Sequence, residues 1–147
     1  MVRLMSYQLF THNNRAELSA ALRGEVWVIA CLCAGWCGSC RDYADAFAAW
    51  AERNPQHHFV WIDIEDQADL VGDLDIDNFP TLLIQRGAIV SFFGPMEPDT
   101  RLADRLLQAQ TIKSRTELEH EVQASAEHRA WQDCNLLTRL ENLPNAA

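Results

Sequence analysis

The chain has 147 residues, 48% of them hydrophobic and 22% charged, the proportions of a soluble globular protein of single-domain length that can bury a core. Its 21 acidic residues against 12 basic ones leave a net charge of −9, which argues against nucleic acid or an anionic membrane as a partner, since both reward basic patches. No apolar run approaches transmembrane length, and Gln8, Thr11, His12 and Asn13 interrupt any signal-peptide core near the start. A cytoplasmic protein is expected, a mature chain already trimmed being the alternative.

Tyr7 to Phe10 reads as a short strand. Asn14 to Glu17 has the spacing of a capping box opening a helix through Leu18 and Leu22 that stops at Gly24. Val26 to Cys33 is almost wholly apolar and rich in β-formers, as in a strand buried on both faces. From Cys40, apolar residues recur at Tyr43, Ala44, Phe47, Ala48 and Ala51, the spacing of a helix that Asn54-Pro55 ends. Phe59 to Ile64 is a second core strand, followed by a short helix around Ala68 to Leu74. Thr81–Ile84 and Ala88–Phe93 flank Arg86-Gly87 as a hairpin. Pro98 stands near the start of a further helix with Leu102, Leu106 and Ala109 as its apolar face. Ser114 and Glu117 form a capping box for one last segment running toward Pro144, with Leu118, Val122, Ala126, Ala130, Cys134, Leu137 and Leu140 on one face. Strands alternating with helices, then a hairpin, imply an α/β fold with a mixed sheet covered by helices.

Five cysteines stand at 31, 33, 37, 40 and 134, a poor structural disulfide framework, and one that suits redox chemistry, metal binding or plain burial in a reducing compartment. Trp36-Cys37-Gly38-Ser39-Cys40 follows the buried strand and opens a helix. A helix N-terminus has unpaired N–H groups and the positive end of a dipole, which favour an anion. Cys37 is therefore expected to be the attacking thiolate, and Cys40, one turn on along the same face, the resolving thiol. Arg41 adds a favourable charge near Cys37, Gly38 lets a partner backbone approach, and Ser39 offers a hydroxyl near the sulfurs. Cys31 and Cys33 read as small core residues; the sharper alternative gives Cys33 a regulatory or resolving disulfide beside the site. A zinc site from all four is weaker, because a strand holds two of the thiols where metal sites use a longer loop.

Trp-Cys-Gly-Ser-Cys after a buried strand, with Phe79-Pro80-Thr81 about forty residues later before the next strand, resembles the thioredoxin family. The resemblance covers roughly Tyr7 to Gln110. It implies a thioredoxin fold for residues 1–110, with 111–147 as a helical C-terminal extension. It also implies a cis Pro80 opposite the cysteines, a client peptide held by Phe79, Pro80 and Thr81, and Trp36 packed beside the disulfide. The sequence departs from the family at four places: Cys31 stands where the family commonly has a buried Asp, Cys33-Ala34 replaces a frequent Trp-Ala pair, and Ser39 replaces the usual Pro. The fourth is Asp45, which stands where the family's helix has a kinking proline. The activity implied is protein thiol–disulfide exchange that needs no metal or organic cofactor, with client proteins and an electron-donating reductase as partners. A binding module or chaperone with slow thiol turnover is the second reading, and net oxidation or isomerisation the third.

The five histidines are expected on the surface. The acidic run from Asp63 to Asp77 reads as a solvated helix face, or as a charge near Pro80 (Asp75 and Asp77) that steers basic clients. The tail from Thr111 is expected to dock back on the domain, the alternative being a contact with another copy or a client through Trp131.

Overall fold

The computed structural model describes residues 7–35, 37–74, 76, 78–97 and 99–143; Trp36, Asp75, Asp77, Pro98 and Pro144 lie outside them. Five strands form one sheet, β1 (Gln8–Leu9), β2 (Trp27–Cys33), β3 (His58–Asp63), β4 (Thr81–Arg86) and β5 (Ile89–Pro95), in the spatial order β1-β3-β2-β4-β5. β1, β3 and β2 run parallel, whereas β4 and β5 pair antiparallel. The hairpin turns at Gly87, whose φ of +56° is a conformation that a Cβ disfavours.

β2 is the middle strand and is buried along its whole length, as an uninterrupted apolar run requires. Alternate side chains point to opposite faces. Val28, Ala30 and Leu32 meet Leu18 and Leu22 of α1 (Arg15–Arg23), and Leu70 and Val71 of α3 (Ala68–Val71) join the same cluster. Ile29, Cys31 and Cys33 face the other layer, which holds Cys40, Tyr43, Phe47 and Trp50 of α2 (Gly38–Arg53) and Ala103 and Leu107 of α4 (Arg101–Thr111). Trp50 is fully buried, and its Nε1 donates to Asp104 Oδ1 at 2.8 Å, fastening α2 to α4.

Four expectations are corrected. Asn14 stands at the start of α1 without capping it; its Nδ2 donates to the Leu9 carbonyl and its Oδ1 accepts from the Thr11 N–H, while Glu17 accepts from Gln8. The buried stripe of α4 is Ala103, Leu107 and Gln110, so Leu102 and Ala109 are exposed and Leu106 half-buried. The tail is not one segment. It forms α5 (Arg115–Ala124), α6 (Ala126–Trp131), a 3-10 turn (Gln132–Cys134) and α7 (Leu136–Glu141), because Ser125 and Asn135 each accept backbone N–H bonds and start a new helix. His57 and His58 are half-buried, and burial lowers the pKa of both.

The Ser114–Glu117 capping box forms as expected. The tail docks back: Cys134, Leu136 and Leu140 enter the cluster on the α1 face, and Trp131 packs edge-on against Phe92. Burial raises the Cys134 thiol to about 11. In the acidic run, Asp63 Oδ1 accepts the N–H groups of Glu65 and Asp66, Asp69 pairs with Arg15, and Asp73 pairs with Arg139 of α7. Part of that run therefore closes the fold instead of facing solvent unpaired.

Candidate functional site

The four clustered cysteines lie where the C-terminal end of β2 meets the first turn of α2. Cys31, Cys33 and Cys40 are 0%, 1% and 2% exposed; Cys37, the N-cap of α2, is half-buried and reaches the surface. The turn before it is held by the Cys37 N–H donating to the Ala34 carbonyl at 3.0 Å and by Arg41 Nη1 donating to the Gly35 carbonyl at 3.2 Å. A Cβ at Gly35 would come within 3.2 Å of Asp63 Oδ2, so a larger residue there would require that carboxylate to give way. Gly38 and Ser39 are exposed on the first turn.

Cys40 forms a disulfide with Cys33, across a Cα–Cα distance of 5.9 Å, and leaves Cys37 as a free thiol. Cys31 Sγ stands 3.5 Å from Cys33 Sγ, and burial pushes the Cys31 thiol well above its ordinary pKa. Two of the four sulfurs are bonded to each other, an arrangement that a four-thiolate zinc site does not allow. Tyr43, beneath the cluster, is also raised by burial, with Cys31 a smaller contribution.

Beside the first turn of α2 opens a groove of about 690 Å³. Its lining includes Ser39, Phe79 and Pro80, Phe92 and Met96, and Leu102 and Leu106 of α4. The Phe79–Pro80 peptide bond is cis. Pro80 is buried, and its carbonyl accepts from the Met96 N–H. Thr81 is turned inward, its Oγ1 donating to the Asn78 carbonyl at 2.6 Å. Cys37 and Phe79 pack against the same buried cluster.

The thioredoxin family model matches residues 10–108. The chain belongs to the thioredoxin family. Thioredoxin-2 of Pyricularia oryzae is 29% identical over 84 residues, 56% of this chain and 49% of that one. Thioredoxin H4-2 of rice (Oryza sativa subsp. japonica) is 34% identical over 100 residues, 68% of this chain and 64% of that one. The match thus spans about half to two thirds of the length of these relatives. The crystal structure of a poplar thioredoxin h superposes with a TM-score of 0.60 at 26% identity, over 71% of this chain and 96% of that one.

The thioredoxin fold expected from the sequence is therefore the observed one, with further helices after the matched stretch. Sequence reasoning missed part of the groove lining. In the sequence Phe92 reads only as hairpin, Met96 carries no local signal, and Leu102 and Leu106 read as the apolar face of a helix. Their signal was available in part, since Leu107 shares the i, i+4 relation with Ala103 that Leu106 shares with Leu102.

Proposed function

We propose that this thioredoxin-family chain is a protein thiol–disulfide oxidoreductase that reduces disulfides in client proteins. Cys37 attacks a client disulfide, forming a mixed disulfide and releasing one client thiolate. Cys40, as a free thiol in the reduced protein, then attacks Cys37 Sγ, giving a Cys37–Cys40 disulfide and the second client thiolate. The client gains two electrons and the protein loses them; a reductase returns them. The observation that carries this reading is that, of the four clustered sulfurs, Cys37 alone reaches the surface, and it does so at a helix N-terminus, where an anion is favoured. Phe79 and Pro80, with Trp36 and the Thr81 backbone, receive the client as an extended segment beside that sulfur. No metal or organic cofactor enters the reaction.

The proposed compartment is the cytoplasm, where net flow runs toward reduction. Among the described residues, no helix is long and apolar enough to cross a membrane. The net charge of −9 disfavours nucleic acid and an anionic membrane as partners.

Reduction of insulin by dithiothreitol, followed by turbidity, tests the reading. The wild-type protein accelerates it and Cys37→Ser does not. Equal, background-level rates select the second reading, a client-binding module with slow thiol turnover, which the apolar groove and the Cys33 bond on the resolving sulfur favour.

A further inference from the structure

Two sulfurs can compete for Cys40. Cys37 is three residues before it, at the N-cap of the same helix. Cys33, on the neighbouring strand, is bonded to it with Cα atoms 5.9 Å apart, inside the span that disulfides use. Cys33 ends β2 and Cys37 caps α2, so both stand beside the first turn that carries Cys40. The alternation of β2 matters here: Cys31 and Cys33 share the face turned toward α2, and Cys31 Sγ lies 3.5 Å from the Cys33 sulfur.

We propose that Cys33 is a third redox-active thiol, which takes Cys40 from Cys37, so that the oxidised protein rests on a buried Cys33–Cys40 disulfide and regains a free Cys37. This rests on the roles given to Cys37 and Cys40 above. The Cys33 thiolate attacks Cys40 Sγ of the Cys37–Cys40 disulfide. The Cys33–Cys40 bond forms, the Cys37–Cys40 bond breaks, and Cys37 leaves as a thiolate; the proton lost by Cys33 passes to solvent or to Cys37. No electrons enter or leave, so no further oxidant is required. In reverse, the Cys37 thiolate attacks Cys40 and Cys33 departs. The neighbouring Cys31 stays a neutral thiol, because burial raises its pKa, and its S–H can hydrogen-bond the departing Cys33 sulfur.

Burial gives the step a direction of use. Cys33 and Cys40 are both at most 2% exposed, so the sulfur of a bulky client or reductase cannot touch their bond. Access runs through Cys37. The accessible Cys37 thiol meanwhile can capture another client disulfide, and with Cys40 occupied that mixed disulfide persists. The second role is thus a store of oxidising equivalents that converts the site from a dithiol into a monothiol.

The test uses the full chain. The reduced protein is treated with stoichiometric diamide, quenched in acid, blocked with N-ethylmaleimide and cleaved with chymotrypsin. Cleavage after Leu32, Trp36 and Tyr43 separates Cys33 on fragment 33–36 from Cys37 and Cys40 on fragment 37–43. The expected product is fragments 33–36 and 37–43 joined by a disulfide, with maleimide on Cys37. In oxidised Cys33→Ser the cross-link and the Cys37 label are both lost. A closed 37–43 fragment with maleimide on Cys33, in wild-type protein that reduces insulin normally, overturns the role of Cys33 and leaves the oxidoreductase reading intact. Background-level insulin reduction by the wild-type chain overturns that reading instead.

Discussion

Gln85 and Asn135, fifty residues apart, hydrogen-bond each other inside the core, with Gln85 Nε2 2.7 Å from Asn135 Oδ1. Gln85 is fully buried, and the rest of its amide is also engaged: Nε2 donates to the Gly87 carbonyl, and Oε1 accepts the Leu136 N–H at the start of α7. Asn135 caps α7 through the N–H groups of Leu137 and Thr138 and donates to the Ala88 carbonyl. One pair of amides thus joins the tail to the β4–β5 hairpin. Gln85→Met keeps the volume but takes away the partners of two buried backbone groups, each worth about 1–3 kcal/mol when left unsatisfied. A loss of about 2–4 kcal/mol is expected in urea denaturation. An unchanged midpoint removes this account of the joint.

The extension is therefore predicted to be part of the folding unit. Leu118, Leu136 and Leu140 are all at most 5% exposed, and burying a leucine contributes about 1.5–3 kcal/mol. Three of them rival the whole stability of an ordinary domain, about 5–15 kcal/mol. A chain ending at Gln110 is expected to sediment as larger, heterogeneous species and to lose a cooperative melt. A truncated chain that melts like the full one would falsify the prediction.

The parts of this fold that could be read in advance were those with strong local signals. The run Trp27–Cys33 has no polar residue, so its burial on both faces followed directly. The hairpin followed from Gly87, and α5 from Ser114 and Glu117. What failed depended on tertiary neighbours. Leu102, Leu106 and Leu107 allow two phases for α4, and only the position of the sheet selects Ala103 and Leu107 as the inner stripe. Ser125 and Asn135 break the tail without glycine or proline, through side-chain caps that compete with a continuing helix. At the site, Cys37 and Cys40 were legible as a local spacing. The Cys33–Cys40 bond joins strand to helix across a turn, and the sequence could offer it only as an alternative.

Acid should weaken the fold through His58. This histidine begins β3 opposite Val28, and its Nε2 is buried without a hydrogen-bond partner among the described residues. Burial lowers its pKa, and the nearby Glu17 offsets this in part; His57 is lowered by burial too. The folded state thus resists protonation that the unfolded chain accepts. The contribution is fully present above the unfolded value near 6.5 and is lost as pH falls from there through the lowered folded value. Melting temperature is expected to decline across this window in wild-type protein and to decline less in His58→Gln. Parallel curves for the two proteins would assign the acid sensitivity elsewhere.

Leu102 offers a test of the groove that leaves the sulfurs untouched. It is 58% exposed on α4 and lines the same groove as Phe79 and Pro80. An exposed leucine contributes little to folding, so Leu102→Asp should melt within about 0.5 kcal/mol of the wild type. A client segment lying in the groove would cover that leucine, and in the variant it would meet a carboxylate instead. The loss of about 1.4 kcal/mol of binding corresponds to about a tenfold fall in kcat/KM. That fall is expected with insulin, whose chain must occupy the groove. With a small aromatic disulfide that reaches Cys37 directly, the rate should hold. An equal loss on both substrates would move the effect to the thiols, and no loss on either would place the client elsewhere on the surface.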